Sequence, residues 1–269
     1  MSKYLYGFVG CGNMGGALAA AACKTGAQRV LLANRTAAKA DALAARLGCA
    51  SAGSDNCAVA KDSKFIFLGC KPYQAAEVLE QLSGALAENP EGVLVSMLAG
   101  TSVAVLRQLA GPDRGILRIM PNTPAAIGQG MIQYAADGVS EADLALFLEG
   151  MKEAGLWDAL PENLIDAASC VSGCGPAWVY QMIEALSDGG VACGLPRAKA
   201  LQYAAQMVSG AAQMVLESGQ HPGALKDAVC SPGGSTIQGV RALEQRGFRG
   251  AVTDAVIAAY DRTKEMGKH

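Results

Sequence analysis

Histidine is nearly missing: His221 and His269 are the only two in 269 residues. His221 precedes Pro222 and His269 is the last residue, so the histidine general base of a hydroxy-acid dehydrogenase is not expected. Aromatic residues are scarce at 5% and charged residues low at 17%, with a net charge of −2. That balance excludes a general nucleic-acid binder, which needs a basic face. A hydrophobic content of 51% excludes a disordered chain. The nine cysteines (Cys11, Cys23, Cys49, Cys57, Cys70, Cys170, Cys174, Cys193, Cys230) include no C-x-x-C pair, and the clustered Cys/His spacing of a zinc site is lacking. Such a spread suits reduced, buried thiols in a cytosolic protein, with no metal. Residues 4–23 carry no charge, but Gly7, Gly10, Gly12, Asn13, Gly15 and Gly16 interrupt them, so the apolar core of a signal peptide or membrane span is absent. The chain reads as soluble and cytoplasmic. It has neither a G-x-S-x-G elbow nor a G-x-x-x-x-G-K-[ST] phosphate loop.

What remains is glycine, at 33 residues, with abundant alanine, a composition for close helix–helix and helix–sheet packing. The length allows one large or two medium domains. Through about residue 160, short apolar runs alternate with helical patterns. Strands are expected at Tyr4–Val9, Arg29–Ala33, Phe65–Leu68, Val93–Met97 and Gly115–Met120, and helices to about Thr25, over Thr36–Leu47 and over Gln74–Leu86. Alternation of this kind implies parallel strands with crossover helices. Nearly all-apolar strands imply a sheet covered on both faces. From about Pro161 the texture is helical only: Pro176–Cys193, Pro196–Ser218, Thr236–Gln245 and Phe248–Lys264, with Pro176 and Pro196 in first turns. A polar tail from Arg262 to His269 is expected to fray. The reading is therefore an α/β domain over 1–161 and an all-α domain over 162–269, whose apolar faces suggest a helical dimer interface.

Gly10-Cys11-Gly12-Asn13-Met14-Gly15 directly follows the first strand and opens an Ala-rich helix, the context a dinucleotide fingerprint requires. Gly10 permits the tight turn, Gly12 lets a pyrophosphate approach the backbone, and Gly15 lets the helix pack on the strand. The helix start supplies free N–H groups and a positive dipole. At the end of the second strand, NAD enzymes place an acid for the ribose hydroxyls. This chain has Asn34-Arg35-Thr36, Lys39 a turn later and no acid before Asp41, which suits a 2′-phosphate and so NADPH, with NADH still possible. The alternative is an ordinary helix cap at Thr36 with a solvated Arg35. Gly69-Cys70-Lys71-Pro72 ends the next apolar strand, where open α/β sheets bind ligands, and Lys71 could reach phosphate or ribose. Asn56 could bond ribose or adenine, or be an ordinary loop residue. Ser96-Met97-Leu98-Ala99-Gly100 and Pro121-Asn122-Thr123-Pro124 end the next two strands and could lie against a flat nicotinamide. In the helical half, Ser231-Pro232-Gly233-Gly234-Ser235-Thr236 ends one helix and opens another at Ile237. The N–H groups of Gly234, Ser235 and Thr236 would face outward there as a carboxylate site, or Ser235 or Thr236 could simply cap the helix.

Several of these stretches, in this order, resemble pyrroline-5-carboxylate reductases. The run Leu225–Ile237, containing Ser231-Pro232-Gly233-Gly234-Ser235-Thr236, is similar to the family's signature. So is Asp166–Tyr180 with Ser172-Gly173-Cys174-Gly175-Pro176-Ala177, as are Met120–Pro124 and Lys71-Pro72. Cys174 stands where Ser is usual, Gly69-Cys70 where Ala-Val is, and Ser235 where Thr is frequent, so no direct role is given to Cys174. The resemblance implies a Rossmann-type N-terminal domain and an all-α C-terminal dimerisation domain, assembling as a homodimer or on to a decamer. It implies NAD(P)H-dependent reduction of 1-pyrroline-5-carboxylate to L-proline. Thr236 would contact the imine nitrogen and Ser231 to Ser235 the carboxylate, with Glu162 near the substrate and Ala228 near the cofactor.

A protonated cyclic imine is a strong hydride acceptor and needs no strong base. The protein must orient the two reactants within about 3–3.5 Å and supply a proton donor. Two other readings stay open at this stage. One is a β-hydroxyacid dehydrogenase, although neither Lys199 nor Lys226 heads the K-x-x-N-N pattern of that class. The other is an NADP-sensing regulator without chemistry.

Overall fold

The apolar runs become, in the computed structural model, eight strands of one sheet, and the residues after them form helices alone. Residues 2–266 are described. The strands are β1 (Tyr4–Val9), β2 (Val30–Ala33), β3 (Ala50–Ser51), β4 (Ser63–Leu68), β5 (Val93–Ser96), β6 (Ile116–Met120), β7 (Gly130–Asp137) and β8 (Gly155–Ala159). The helices between them are α1 (Asn13–Gly26), α2 (Ala37–Leu47), α3 (Asn56–Asp62), α4 (Ala75–Ala87), α5 (Val103–Ala110) and α6 (Glu141–Met151). Those that follow are α7 (Glu162–Ser172), α8 (Gly175–Ala192), α9 (Arg197–Ser218), α10 (Pro222–Ala228), α11 (Ser235–Gln245) and α12 (Phe248–Met266).

Strand order is β3-β2-β1-β4-β5-β6-β7-β8. The first six strands are parallel, which is the doubly wound Rossmann order with its split between β1 and β4. β7 departs from the expected all-parallel pattern and runs antiparallel to β6. The reason is the connection over 121–129, which is shorter than the dozen or so residues a parallel crossover needs. β8 then pairs parallel to β7.

Period-two alternation sends adjacent residues of one strand into different cores. Phe65 and Phe67 of β4 join Tyr6, Phe8 and Phe147 on one face, under α1, α2 and α6. Ile66 and Leu68 join Val9, Leu31, Leu79 and Leu94 on the other, under α3, α4 and α5. Few as the aromatics are, they are concentrated here: Phe8 stacks on Phe67 with centroids 4.3 Å apart, and Phe147 meets Phe65 edge-on at 5.1 Å. The Tyr6 hydroxyl donates to the Phe147 carbonyl at 3.3 Å.

By packing, the chain forms two compact units: residues up to Cys174 together with those from Ala259 onward, and Gly175–Ala258. Helix α7, assigned to the helical half by sequence texture, packs on β7 in the first unit. Its hold is polar. Arg118 on β6 pairs with Glu162 and Asp166, which share one face of α7, and Gln133 on β7 accepts from the Ser172 hydroxyl at 3.0 Å.

In the second unit, α8 and α9 pack on each other across a link at 193–196, with Gly194 at φ +94°. Arg197 bonds the Ser187 hydroxyl at 3.2 Å and pairs with Asp188. Pro196 precedes α9 at its cap position instead of lying in the first turn, and Gly219, at φ +63°, ends that helix. Only Ser187, Ala200 and Ala204 are buried within this unit, while Tyr203, Met207, Met214 and Leu216 of α9 are exposed. The expected tail begins inside α12, which continues through Arg262 to Met266, with Arg262 paired to Glu265 at 2.8 Å and the Thr263 hydroxyl bonded to the Ala259 carbonyl. Residues 267–269 of the expected tail lie outside the described part.

The cysteines are free, as read, but only Cys170 is buried. Cys57, Cys174 and Cys193 are exposed because they fall in a first helical turn or just beyond a helix end, clear of either core. Among the described residues no helix is long and apolar enough to cross a membrane, and no group of three or more His, Cys, Asp or Glu could hold a metal ion.

Candidate cofactor and substrate sites

At the split between β1 and β4 three backbones meet without side chains. Gly10 takes φ +100°, a conformation costly to any residue with a Cβ. A Cβ on Gly15 would lie 2.3 Å from the Gly10 carbonyl oxygen, and one on Gly69 would meet the same oxygen at 2.3 Å. Gly12 is different: a Cβ there would meet nothing within 4 Å. The turn is therefore crowded behind and open in front. Gly12 occupies the cap position of α1 and no side chain caps that helix, so its first-turn N–H groups face the opening.

A crevice of about 1490 Å³ lies before this turn. It gathers Gly10, Cys11, Gly12, Asn13, Asn34, Arg35, Thr36, Asn56, Gly69, Cys70 and Lys71 of the expected cofactor residues. Met14, Gly15 and Pro72 do not line it; Gly15 is buried in the helix–strand contact and Pro72 opens the short turn that ends at Gln74. Asn34 braces the site from inside, its Oδ1 accepting the Cys11 N–H at 3.1 Å and its Nδ2 donating to the Thr36 carbonyl. Thr36 holds the cap position of α2, yet its hydroxyl makes no capping bond. Asp41, the first acid after β2, accepts from Ser51 at 2.6 Å and does not line the crevice. Asn56 is the first residue of α3, not a loop residue; Asp55 caps that helix, and the Asn56 Oδ1 is buried without a partner. Burial pushes the Cys11 thiol up to about 11, with Cys49 adding to the effect, and burial raises Cys70 as well. Both thiols are thus neutral at pH 7 and put no negative charge beside the opening.

Sequence reasoning missed Arg46 and Tyr73, which also line the crevice. Arg46 is seven residues beyond Lys39, hence on the same face of α2, so helical spacing could have found it. Tyr73 is 84% exposed, beside the expected Pro72.

The strand ends further along the sheet lie outside this crevice. Met97 and Ala99 are half-buried, but the Leu98 side chain is 1% exposed and belongs to the core. Asn122 is buried, with Nδ2 donating to the Ser172 carbonyl at 3.0 Å and Oδ1 accepting the Met131 N–H at 3.0 Å, so both ends of its amide are engaged inside the fold. Glu162 accepts the Val103 N–H at 2.6 Å through Oε1.

In the second unit, Ser231–Gly234 is a turn with Pro232 at its second position, Gly233 at φ +71° and the Gly234 N–H donating to the Ser231 carbonyl at 3.0 Å. That corrects the expected donor set: the Gly234 N–H is consumed by the turn. Gly234 is itself the cap residue of α11, which opens at Ser235, and no side chain caps the helix. Neither Ser235 nor Thr236 serves as the cap. The uncapped N–H groups are those of Ser235, Thr236 and Ile237, and both hydroxyl residues are exposed. A Cβ on Gly234 would lie 2.3 Å from the Ser231 Oγ, which explains the second glycine. Ala228 ends α10 and is exposed.

Two family models match the chain. One, described as pyrroline-5-carboxylate reductase dimerisation, covers residues 162–266. The other, described as NADP oxidoreductase coenzyme F420-dependent, covers residues 5–100. The pyrroline-5-carboxylate reductase of Escherichia coli strain K12 is 39% identical over 266 residues, covering 97% of this chain and 98% of that protein. That of Glycine max is 41% identical over 271 residues, covering 98% and 96%. A crystal structure of Plasmodium falciparum pyrroline carboxylate reductase with NADP bound superposes with a TM-score of 0.89 at 31% identity, covering 99% of both chains.

Proposed function

Because the chain belongs to the pyrroline-5-carboxylate reductase family, we propose that it reduces 1-pyrroline-5-carboxylate to L-proline with NADPH as hydride donor, as a cytoplasmic enzyme that works as a homodimer or as a decamer built from such dimers. The observation that carries this reading is the likeness to named reductases over 97% of the chain, which takes in the Gly10–Gly15 turn and the Ser231–Thr236 turn alike. The β-hydroxyacid dehydrogenase and sensor readings have no comparable support.

The residues present fit the cofactor. The open front at Gly12 and the uncapped start of α1 would receive the pyrophosphate. Arg35, Thr36 and Lys39, with Arg46, would hold a 2′-phosphate, and the place of Asp41 outside the crevice, bonded to Ser51, favours NADPH over NADH. Lys71 and Asn56 would serve the ribose and adenine end, and the Asn56 Oδ1 is an acceptor still lacking a donor. The backbone of the Met97–Gly100 and Pro121–Thr123 segments would support the nicotinamide. When bound, the cofactor supplies a hydride to the imine carbon.

The protein's part is orientation and protonation. The N–H groups of Ser235, Thr236 and Ile237, at the positive end of α11, would hold the substrate carboxylate, with Ser231 shaping the turn. The Thr236 hydroxyl would donate to the ring nitrogen as its lone pair develops. Ala228 would lie against the cofactor. Residues 1–161 would act as the dinucleotide-binding domain and 162–269 as the dimerisation and substrate domain. The exposed apolar side chains of α9 and the match to a dimerisation model support the second assignment. The test is loss of NADPH absorbance with 1-pyrroline-5-carboxylate and with hydroxy acids. Turnover with the imine alone is expected; turnover with hydroxy acids, or binding of NADPH without any turnover, would refute the proposal.

A further inference from the structure

Helix α5 is capped twice. The Ser102 hydroxyl accepts the Val105 N–H at 3.3 Å in the usual local way. The first helical N–H, that of Val103, is taken at 2.6 Å by the Glu162 carboxylate, fifty-nine positions along the chain. Glu162 is held in turn by Arg118, whose side chain is only 3% exposed and reaches Glu162 at 3.4 Å and Asp166 one turn along α7. This is a costly way to finish a helix. Burying a guanidinium carries a desolvation penalty that an apolar residue would avoid, and the Arg118 Nε is buried with no partner at all. The local cap at Ser102 already satisfies the Val105 N–H, as an ordinary helix start does.

What the long-range bond adds is position. Residues 97–102 join β5 to α5, turning through Gly100 at φ +69°. At one end the Ser96 hydroxyl accepts the Leu98 N–H at 3.4 Å, and Leu98 is locked in the core. At the other end the start of α5 is fixed by Glu162. We infer that Glu162, oriented by Arg118, is a positioning residue of the reaction: through Val103 it sets the height of the Met97–Gly100 segment on which the nicotinamide rests, without touching the substrate. This deepens the proposed function and rests on it. It replaces the direct substrate contact that the family resemblance implies for Glu162.

Three variants test it, with steady-state kinetics on the full-length protein and NADPH affinity measured separately. Glu162→Ala removes the acceptor. Val103→Pro removes the donor at a helix position where proline is tolerated, after a Ser102 whose φ −75° and ψ 160° suit a residue preceding proline. Glu162→Gln keeps an acceptor oxygen and loses the charge. Misplacing a reactant slows the chemical step more than it weakens binding, so Glu162→Ala and Val103→Pro are each expected to lower kcat by roughly tenfold or more with NADPH affinity within about twofold, while Glu162→Gln stays within about threefold of wild type. Wild-type kcat in either Glu162→Ala or Val103→Pro, or a parallel loss of kcat and NADPH affinity in both, overturns the inference. A wild-type protein that binds NADPH yet reduces no pyrroline-5-carboxylate overturns the functional reading first, and this inference with it.

Discussion

The two units solve the problem of apolar surface in different ways. The first covers both faces of a sheet with its own helices and leaves Phe8, Phe65, Phe67 and Phe147 with no exposure. The second buries only two alanines and a serine, and shows solvent the apolar side chains of α8, α9, α11 and α12. A sheet with helices on both sides closes its own core, whereas these few helices leave theirs open. The first unit is thus equipped to be stable by itself. The second reads as half of a core, to be completed by another copy.

The sharpest way to break that contrast is to charge the open face. Met207→Asp is expected to convert the assembly to monomers and abolish turnover, as read by light scattering and the NADPH assay; an unchanged oligomer would show that this face is not the interface. In the first unit the largest response should come from the aromatic cluster. Phe67→Ala leaves a cavity that costs about 3–5 kcal/mol, visible as a lower denaturant midpoint with little change in oligomeric state. Thr236→Ala should leave both fold and assembly alone while lowering kcat by about a hundredfold, the usual loss for one donor to a developing charge; wild-type turnover would remove Thr236 from the mechanism. Arg35→Ala should raise KM for NADPH about tenfold with little effect on NADH, since one charge-assisted hydrogen bond is worth roughly 1.5–3 kcal/mol. The smallest effect is chemical. The Cys11 thiol, raised to about 11, stays protonated at pH 7 and should resist alkylation, whereas exposed Cys57 should be modified first; mass spectrometry of the labelled peptides decides between them.

Much of this architecture was legible in the residues. Tyr4–Val9 was readable to the residue because an all-apolar run ends in a glycine turn. The long helices of the second unit were readable because Pro and Gly punctuate them. Other features hide for physical reasons. β7 and β8 alternate weakly and lie at the sheet's far edge, and an antiparallel reversal depends on loop length, which apolar periodicity does not report. The assignment of α7 depends on Arg118, Gln133 and Asn122 meeting its polar face, contacts that span tens of residues. At the sites, the Gly10–Gly15 and Ser231–Thr236 turns were found from spacing. That the Gly234 N–H is consumed by its own turn, that Asn34 and Asn122 face inward, and that Arg46 joins the crevice all required the three-dimensional path of the chain.

The open front at Gly12, backed by the meeting of Gly10, Gly15 and Gly69, has a consequence for how tightly an anion could be held there. Where only backbone lines a seat, there are no rotatable side chains to immobilise when the guest arrives. The ordering of that backbone was completed when the chain folded, so at this end of the crevice little of the entropy lost on binding would fall on the protein. A lysine-lined seat of equal charge would have to still several long, freely turning arms at each encounter.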